Sequence, residues 1–140
     1  MSRTRVVIGI LGLDQHEVGA IAVARMLRDA GMEVIYVGCF QTPDTLARSI
    51  LQEDADVLGI SCHSWDYLHD LPKLMARLRA EKSDTAVVVG GSVLTSGDAQ
   101  TLAELGVAAT FGPGAAPADI VATISALGAR RAERLAEPLA

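Results

Sequence analysis

The stretch Val6-Val7-Ile8-Gly9-Ile10-Leu11 has no polar side chain on either face of an extended chain. A strand with one face in water would alternate apolar and polar residues, so this run predicts a central parallel strand that is covered on both sides. After a turn comes a helical pattern that ends near Gly31. The apolar face of this helix is predicted to consist of Val23, Met26, Leu27 and Ala30. The first unit is therefore strand, turn and helix.

The same unit recurs along the chain. Further strands are predicted at 34–37, 56–61, 86–89 and 108–111, and further helices are opened by Thr42-Pro43 and begin around Pro72, at 98 and at 117. The second helix is expected to bury Ala47, Ile50 and Leu51, and residues 62–70 to form a longer loop or a frayed helix start. Alternating strands and helices predict an α/β fold, a doubly wound five-stranded parallel sheet of flavodoxin-like (Rossmann-like) order 2-1-3-4-5.

Composition limits what kind of protein this is. A chain of 140 residues, 50% of them hydrophobic and 21% charged, is expected to form one globular domain. That domain is predicted to span 1–128, and the C-terminal tail 129–140 either extends the last helix or is mobile. Because aromatic residues make up only 4% of the chain, the core should be aliphatic.

Charge and cysteine usage exclude several partners and compartments. A net charge of -5 without a basic run argues against nucleic acid, and the absence of a long apolar segment argues against a membrane. Cys39 and Cys62 lack the spacing of a metal or redox motif, so both are expected to be reduced thiols. The protein is therefore predicted to be cytoplasmic.

Three loops carry the unusual residues: Asp14 to Gly19, Ser61 to Ser64, and Gly90 to Ser92. In the predicted sheet they leave strands one, three and four at the edge where such folds bind ligands. Their convergence predicts a single site there. Gly112-Pro113-Gly114, after the last strand, is interpreted as a turn, with the alternative that it lines the mouth of this site.

His16 is the candidate metal ligand in the first loop. A neutral imidazole can bind a metal through one ring nitrogen while Asp14 accepts the proton of the other. Alternatively, both side chains only satisfy backbone groups in a tight turn. A separate metal site built from Cys62, His63, Asp66 and His69 is not favoured, because these residues lack regular ligand spacing.

The pattern Asp14-x-His16-x-x-Gly19, with Ser61 and Gly90-Gly91, resembles the cobalamin-binding domain of adenosylcobalamin-dependent mutases and of methionine synthase. Further stretches extend the resemblance over residues 5–127 to the carboxy-terminal domain or small subunit of methylmalonyl-CoA and 2-hydroxyisobutyryl-CoA mutases. These stretches are Leu11 to Asp14, Gln41-Thr42-Pro43, Gln52 to Gly59 and Phe111 to Gly114.

The resemblance implies a role for each matching residue. His16 would be the lower axial ligand of cobalt, in place of the cofactor's own dimethylbenzimidazole, and Asp14 its hydrogen-bonded partner. Gly19, Ser61, Gly90 and Gly91 would surround the displaced nucleotide tail. His63 and Trp65 stand where the family has leucine and glycine, so the loop through Tyr67 either points into the tail pocket or contacts a partner.

The expected function is therefore a cobalamin-binding small subunit of an adenosylcobalamin-dependent acyl-CoA mutase, a carbon-skeleton isomerase. The chain would contribute no catalytic side chain and would be inactive without a separate large subunit that binds the acyl-CoA. The alternative is a stand-alone corrinoid carrier or sensor without mutase activity; only four residues precede the first predicted strand, which favours the mutase. A receiver domain is disfavoured because Ser61 stands where receivers carry aspartate.

Overall fold

The computed structural model describes residues 3–12, 17–62, 67–92 and 94–137. Within them, strands and helices alternate, as the α/β prediction requires. The strands are β1 (Arg5–Leu11), β2 (Glu33–Gln41), β3 (Val57–Ser61), β4 (Ala86–Gly90) and β5 (Ala109–Phe111). The helices are α1 (Glu17–Asp29), α2 (Pro43–Glu53), α3 (Tyr67–Ala80), α4 (Ser96–Glu104) and α5 (Pro117–Ala136).

All strand pairs are parallel and their order is β2-β1-β3-β4-β5, which confirms the predicted topology. The connection from β1 leads to β2 on one side of β1, whereas the connection from β3 leads to β4 on the other side of the sheet. The carboxyl ends of β1 and β3 therefore flank the switch point, where folds of this kind open a crevice.

The sheet separates two apolar layers, because successive residues of a strand point to opposite faces. Val6 and Ile8 of β1 belong to the layer that contains residues of α1 and α5, whereas Val7 belongs to the layer under α2, α3 and α4. Tyr67 is the one aromatic residue among the largest fully buried side chains of the described residues. The expectation of an aliphatic core is confirmed.

Two helices are rotated relative to their predicted faces. Ala30 lies beyond the end of α1 and is exposed. Leu51 of α2 is 51% exposed, so its predicted burial is wrong. The spacing of apolar residues alone could not tell which side of Ile50 faces the core, since apolar residues lie on both sides of it around the helix. The buried residues are Ala20, Ala24 and Leu27 in α1, and Leu46, Ala47 and Ile50 in α2.

Helix α2 begins where its sequence predicts. Thr42 is the N-cap: its hydroxyl accepts a hydrogen bond from the Thr45 N–H at 3.1 Å, and the Thr45 hydroxyl accepts one from the Thr42 N–H at 2.8 Å. Pro43 in the first turn lacks an N–H that would have no partner there. The cap thus fixes where β2 ends and α2 begins.

Helix α5 includes residues 129–136, the larger part of the expected tail, and a buried arginine holds it to the amino edge of the sheet. Arg131 donates to Asp54 at 2.7 Å, to Asp56 at 2.9 Å and to Asp84 at 2.9 Å, with its side chain only 8% exposed. One helical turn earlier, Gly128 packs directly against Thr4. In the described part of the chain, no helix is both long enough and apolar enough to span a membrane.

Candidate functional site

A cavity of about 300 Å³ opens at the carboxyl edge of the sheet, on the face covered by α1 and α5. Ala20 and Val23 of α1 form one wall, and Ile120 and Ile124 of α5 form another. None of the described residues lining it carries a charge. An apolar cavity of this size with few polar groups suits an uncharged aromatic group better than an ion.

The floor of the cavity is a row of paired residues across three strands. Ile8 of β1 pairs with Gly59 of β3, which pairs with Val88 of β4. The next row toward the carboxyl edge on the same face contains Ser61 and Gly90, which also pair. Small residues in β3 and β4 therefore leave the space into which the cavity extends.

Gly90 and Gly91 have different physical reasons to be glycine. A Cβ at Gly90 would lie 3.6 Å from the carbonyl oxygen of Phe111, an ordinary contact. A Cβ at Gly91 would overlap the carbonyl group of Cys62. Gly91 therefore lets the β4–α4 loop cross the end of β3, whereas Gly90 is compatible with a larger residue and leaves room in the cavity.

The mouth of the cavity is formed by residues from several loops. Gly19 lines it from the first turn of α1, and Ser92 from the loop after β4. Gly112, Pro113 and Gly114 form a turn after β5, as predicted, and also line the mouth, so both interpretations of this segment hold. Ser61, Gly90 and Gly91 all lie at the same cavity, as their predicted positions in the sheet require.

Asp14, His16 and His63 lie outside the described residues. The residues that flank the first loop are fixed: the Gly12 N–H donates to the Gln41 carbonyl at 2.9 Å, and the Tyr36 hydroxyl donates to the Glu17 carboxylate at 2.6 Å. Burial, with the neighbouring Glu17 carboxylate, raises the pKa of Tyr36 above its ordinary value. Both ends of the segment that carries His16 are thus tied to β2.

The flanks of the loop after β3 pack away from the cavity. Cys62 and Tyr67 are buried in the layer under α2, α3 and α4, on the opposite face of the sheet. Burial raises the pKa of Tyr67 to about 12, with a further contribution from the Asp98 carboxylate. Hydrogen bonds from Thr95 hold the pKa of Asp98 below its ordinary value.

The alternative metal site gains no geometry from the described part of the chain, in which no group of three or more His, Cys, Asp or Glu side chains is arranged to hold a metal ion. His69 lies on the exposed side of α3, where its ring nitrogen Nε2 is 3.0 Å from Nζ of Lys73. Cys62 is buried. These two residues therefore lie in different environments.

Sequence reasoning missed Gly59 and the apolar wall residues that α1, β5 and α5 contribute. A glycine inside an otherwise apolar strand was the available signal for Gly59, since such glycines mark a close approach of another group. The walls had no comparable signal, because apolar residues of a helix look the same whether they pack on the sheet or line a cavity. The missed wall residues are Val23, Phe111, Ile120 and Ile124.

Residues 4–122 match the family model for the B12 binding domain. The chain is 44% identical over 132 residues to the pivalyl-CoA mutase small subunit of Xanthobacter autotrophicus, covering 94% of this chain and 88% of that one. It is 38% identical over 130 residues to the 2-hydroxyisobutanoyl-CoA mutase small subunit of Aquincola tertiaricarbonis, covering 93% and 96%. The Escherichia coli methylmalonyl-CoA mutase matches at 34% over 119 residues, 85% of this chain and 17% of that protein.

Solved structures share the fold at low sequence identity. A cobalamin-binding protein from Desulfitobacterium hafniense superposes with a TM-score of 0.78 at 20% identity, over 89% of this chain and 59% of that one. A receiver domain from Mycobacterium tuberculosis superposes with a TM-score of 0.72 at 19% identity, over 92% and 98%. Architecture alone thus does not separate corrinoid binding from signalling, whereas the family match covers most of the sequence. The chain belongs to the family of B12-binding domains and is similar over nearly its whole length to small subunits of acyl-CoA mutases.

Proposed function

We propose that this chain is the cobalamin-binding small subunit of an adenosylcobalamin-dependent acyl-CoA mutase, and that His16 is the lower axial ligand of cobalt in a base-off cofactor. The observation that carries the proposal is the cavity of about 300 Å³ at the switch point of the sheet, whose described lining residues carry no charge. Ile8 of β1 and Gly19 of α1 line it, and the segment that contains His16 joins these two elements. An imidazole from that segment can lie at the mouth while the nucleotide tail enters the cavity.

The residues present fit a displaced dimethylbenzimidazole. Its flat, largely apolar ring system matches walls formed by Val23, Ile120 and Ile124, and the glycines at the sheet edge let it approach the backbone. Ser61 lies in the row above the floor and is proposed to hydrogen-bond to the base. We further propose that Asp14 orients the His16 ring and that His63 contacts the tail.

When bound, adenosylcobalamin supplies radical chemistry through cleavage of its cobalt–carbon bond. The chain's own residues bind and orient the corrinoid and exclude water from its tail. The acyl-CoA site is proposed to lie on a separate large subunit. In support, two relatives are named small subunits, and the matching segment makes up only 17% of the Escherichia coli methylmalonyl-CoA mutase.

Electron spin resonance of added cob(II)alamin tests the axial ligand. With protein labelled uniformly with nitrogen-15, the superhyperfine pattern from the axial nitrogen should change from three lines to two, because the coordinating nitrogen then has spin one half. The His16→Ala variant should lose this protein-derived splitting. His69→Ala, which removes an exposed histidine of α3, is the matched control and should retain it. An unchanged pattern in labelled protein would exclude a histidine ligand.

Reconstitution tests the reaction. The chain with adenosylcobalamin and the large subunit encoded with it should isomerise the carbon skeleton of an acyl-CoA, and neither subunit should do so alone. Products can be separated by chromatography of the CoA esters. A complex that binds the cofactor and turns over no acyl-CoA would instead support the carrier or sensor function.

A further inference from the structure

Gly59 lies in the middle of β3, a central strand, yet it is only half-buried. Its sequence neighbours Leu58 and Ile60 point to the opposite face and are buried at 0% and 2% exposure. The partial exposure of Gly59 arises because it lies on the floor of the cavity. A glycine at the centre of a sheet weakens the strand, so this position calls for a reason.

Packing within the protein does not supply that reason. A Cβ at Gly59 would lie 3.5 Å from Cγ1 of Ile8 and 3.8 Å from Cγ2 of Val88, both ordinary contacts. The contrast is Gly9 in β1, where a Cβ would lie 2.9 Å from side-chain atoms of Leu46 and of Val37. Gly9 is glycine because the core leaves no room, whereas Gly59 has room for a methyl group that the sequence leaves out.

The missing side chain opens a notch in the floor. Gly59 is flanked in register by Ile8 and Val88, which both line the cavity, so any side chain at 59 would project between them. Two residues earlier on the same face, Val57 is fully buried and closes the layer below. The residue at position 59 therefore determines how deep the cavity extends along the sheet.

We infer that Gly59 is a specificity-determining residue for the lower base of the corrinoid: the notch admits the edge of the bicyclic base that carries its two methyl groups. This inference rests on the proposed function, since it takes the nucleotide tail as the occupant of the cavity. Larger residues at 59 exclude substituted bases and leave recognition of the corrin ring unchanged.

The test compares Gly59→Ala and Gly59→Val with the parent protein in absorption titrations. Three probes separate the contributions of the corrin ring, the nucleotide and the methyl groups of the base to binding. They are cobalamin, the analogue with unsubstituted benzimidazole, and cobinamide, which keeps the corrin ring and lacks the nucleotide. Gly59→Val should weaken cobalamin binding about tenfold or more, as expected for overpacking of a rigid site. Cobinamide affinity should stay within about twofold. Gly59→Ala should discriminate against dimethylbenzimidazole relative to the unsubstituted base.

Gly97→Ala is the matched control, because a Cβ there has its nearest neighbour at 3.8 Å, on α4 and away from the cavity. Thermal unfolding of each unliganded variant checks the fold. If valine at position 59 compromises folding, the comparison rests on Gly59→Ala. Equal cobalamin affinity in the parent and both Gly59 variants would overturn this inference and leave the proposed function intact. A parent protein that binds cobinamide as tightly as cobalamin would instead contradict tail binding in the cavity.

Discussion

Gly91 shows how a single missing side chain shapes the site. The Gly91 N–H donates to the Phe111 carbonyl at 3.1 Å, and the Cys62 N–H donates to the Gly90 carbonyl at 2.8 Å, so the ends of β3, β4 and β5 are tied together. Because a Cβ at 91 would overlap the Cys62 carbonyl, Gly91→Ala should force the loop away. We expect a loss of about 1–3 kcal/mol in the free energy of unfolding, measured in urea.

Gly90→Ala is the control for this prediction, since its Cβ would meet Phe111 only at ordinary distance. Its free energy of unfolding should stay within about 1 kcal/mol of the parent value. A comparable loss of stability in the two alanine variants would mean that the backbone crossing over Cys62 can relax without cost.

Residue type revealed part of the site. Gly90-Gly91 and Ser61 could be assigned to one edge because parallel strands end together, and the structure has all three at the cavity. The sequence could not separate Gly90 from Gly91, because the reason for Gly91 is a carbonyl group that is distant in sequence. Gly59 was missed for a related reason: a glycine in a strand does not reveal which face it leaves open.

At the scale of elements, one face of α5 serves both the cavity and its attachment to the sheet. Ile120 and Ile124 line the cavity, and Arg131 follows on the same helix about 10 Å beyond Ile124. Arg131 is buried among Asp54, Asp56 and Asp84 at the opposite edge. The position of one cavity wall therefore depends on ion pairs that lie outside the cavity.

Arg131→Met should strongly destabilise the protein, because Asp56, whose side chain is only 16% exposed, would lose its paired cation. Breaking a buried ion pair from one side costs about 3–5 kcal/mol. Urea unfolding measures this loss. Arg130→Met, which changes an exposed neighbour on the same helix, should alter stability by less than about 0.5 kcal/mol.

The Arg131→Met substitution should also change how stability depends on pH. The hydrogen bond from Arg131 lowers the pKa of Asp54 in the folded state. This contribution is present above the ordinary aspartate pKa of about 3.9 and is lost as the pH falls through the lowered folded value. The Tm of the parent protein should therefore fall as the pH drops below about 4. The Tm of Arg131→Met should fall less over the same range. An identical slope in both proteins would contradict the assignment.

Element boundaries followed from local chemistry, whereas helix rotation did not. Thr42 and Pro43 marked the start of α2 because caps and first-turn prolines act within a few residues. The exposed side of Leu51 depends instead on which residues of β1 and α3 face the helix. Likewise, the continuation of α5 to Ala136 depends on Arg131 meeting aspartates more than 40 residues away in sequence.

At the scale of the whole molecule, the sheet order was predictable because few arrangements of alternating strands and helices are possible. The face of the sheet toward which each loop turns could not be predicted. Cys62 and Tyr67, the flanks of the loop that departs from the family pattern, pack in the layer opposite the cavity. Sequence left this choice open, because apolar residues can be buried equally well in either layer.

The cavity also predicts how the whole molecule should respond to its cofactor. A ligand that binds only the folded state stabilises it by RT ln(1 + [L]/Kd), about 2.7 kcal/mol at a hundredfold excess over Kd. For a domain of this length that corresponds to a rise in Tm of roughly 10 °C.

Circular dichroism melts with adenosylcobalamin should show this rise, and cobinamide at the same multiple of its own Kd serves as the control for occupancy. At equal concentrations of the two corrinoids, cobalamin should give the larger rise if, as proposed, its nucleotide tail fills the cavity between α1 and α5, since cobinamide has no nucleotide. Equal shifts at equal concentrations would mean that the cavity contributes nothing to binding and that recognition ends at the corrin ring.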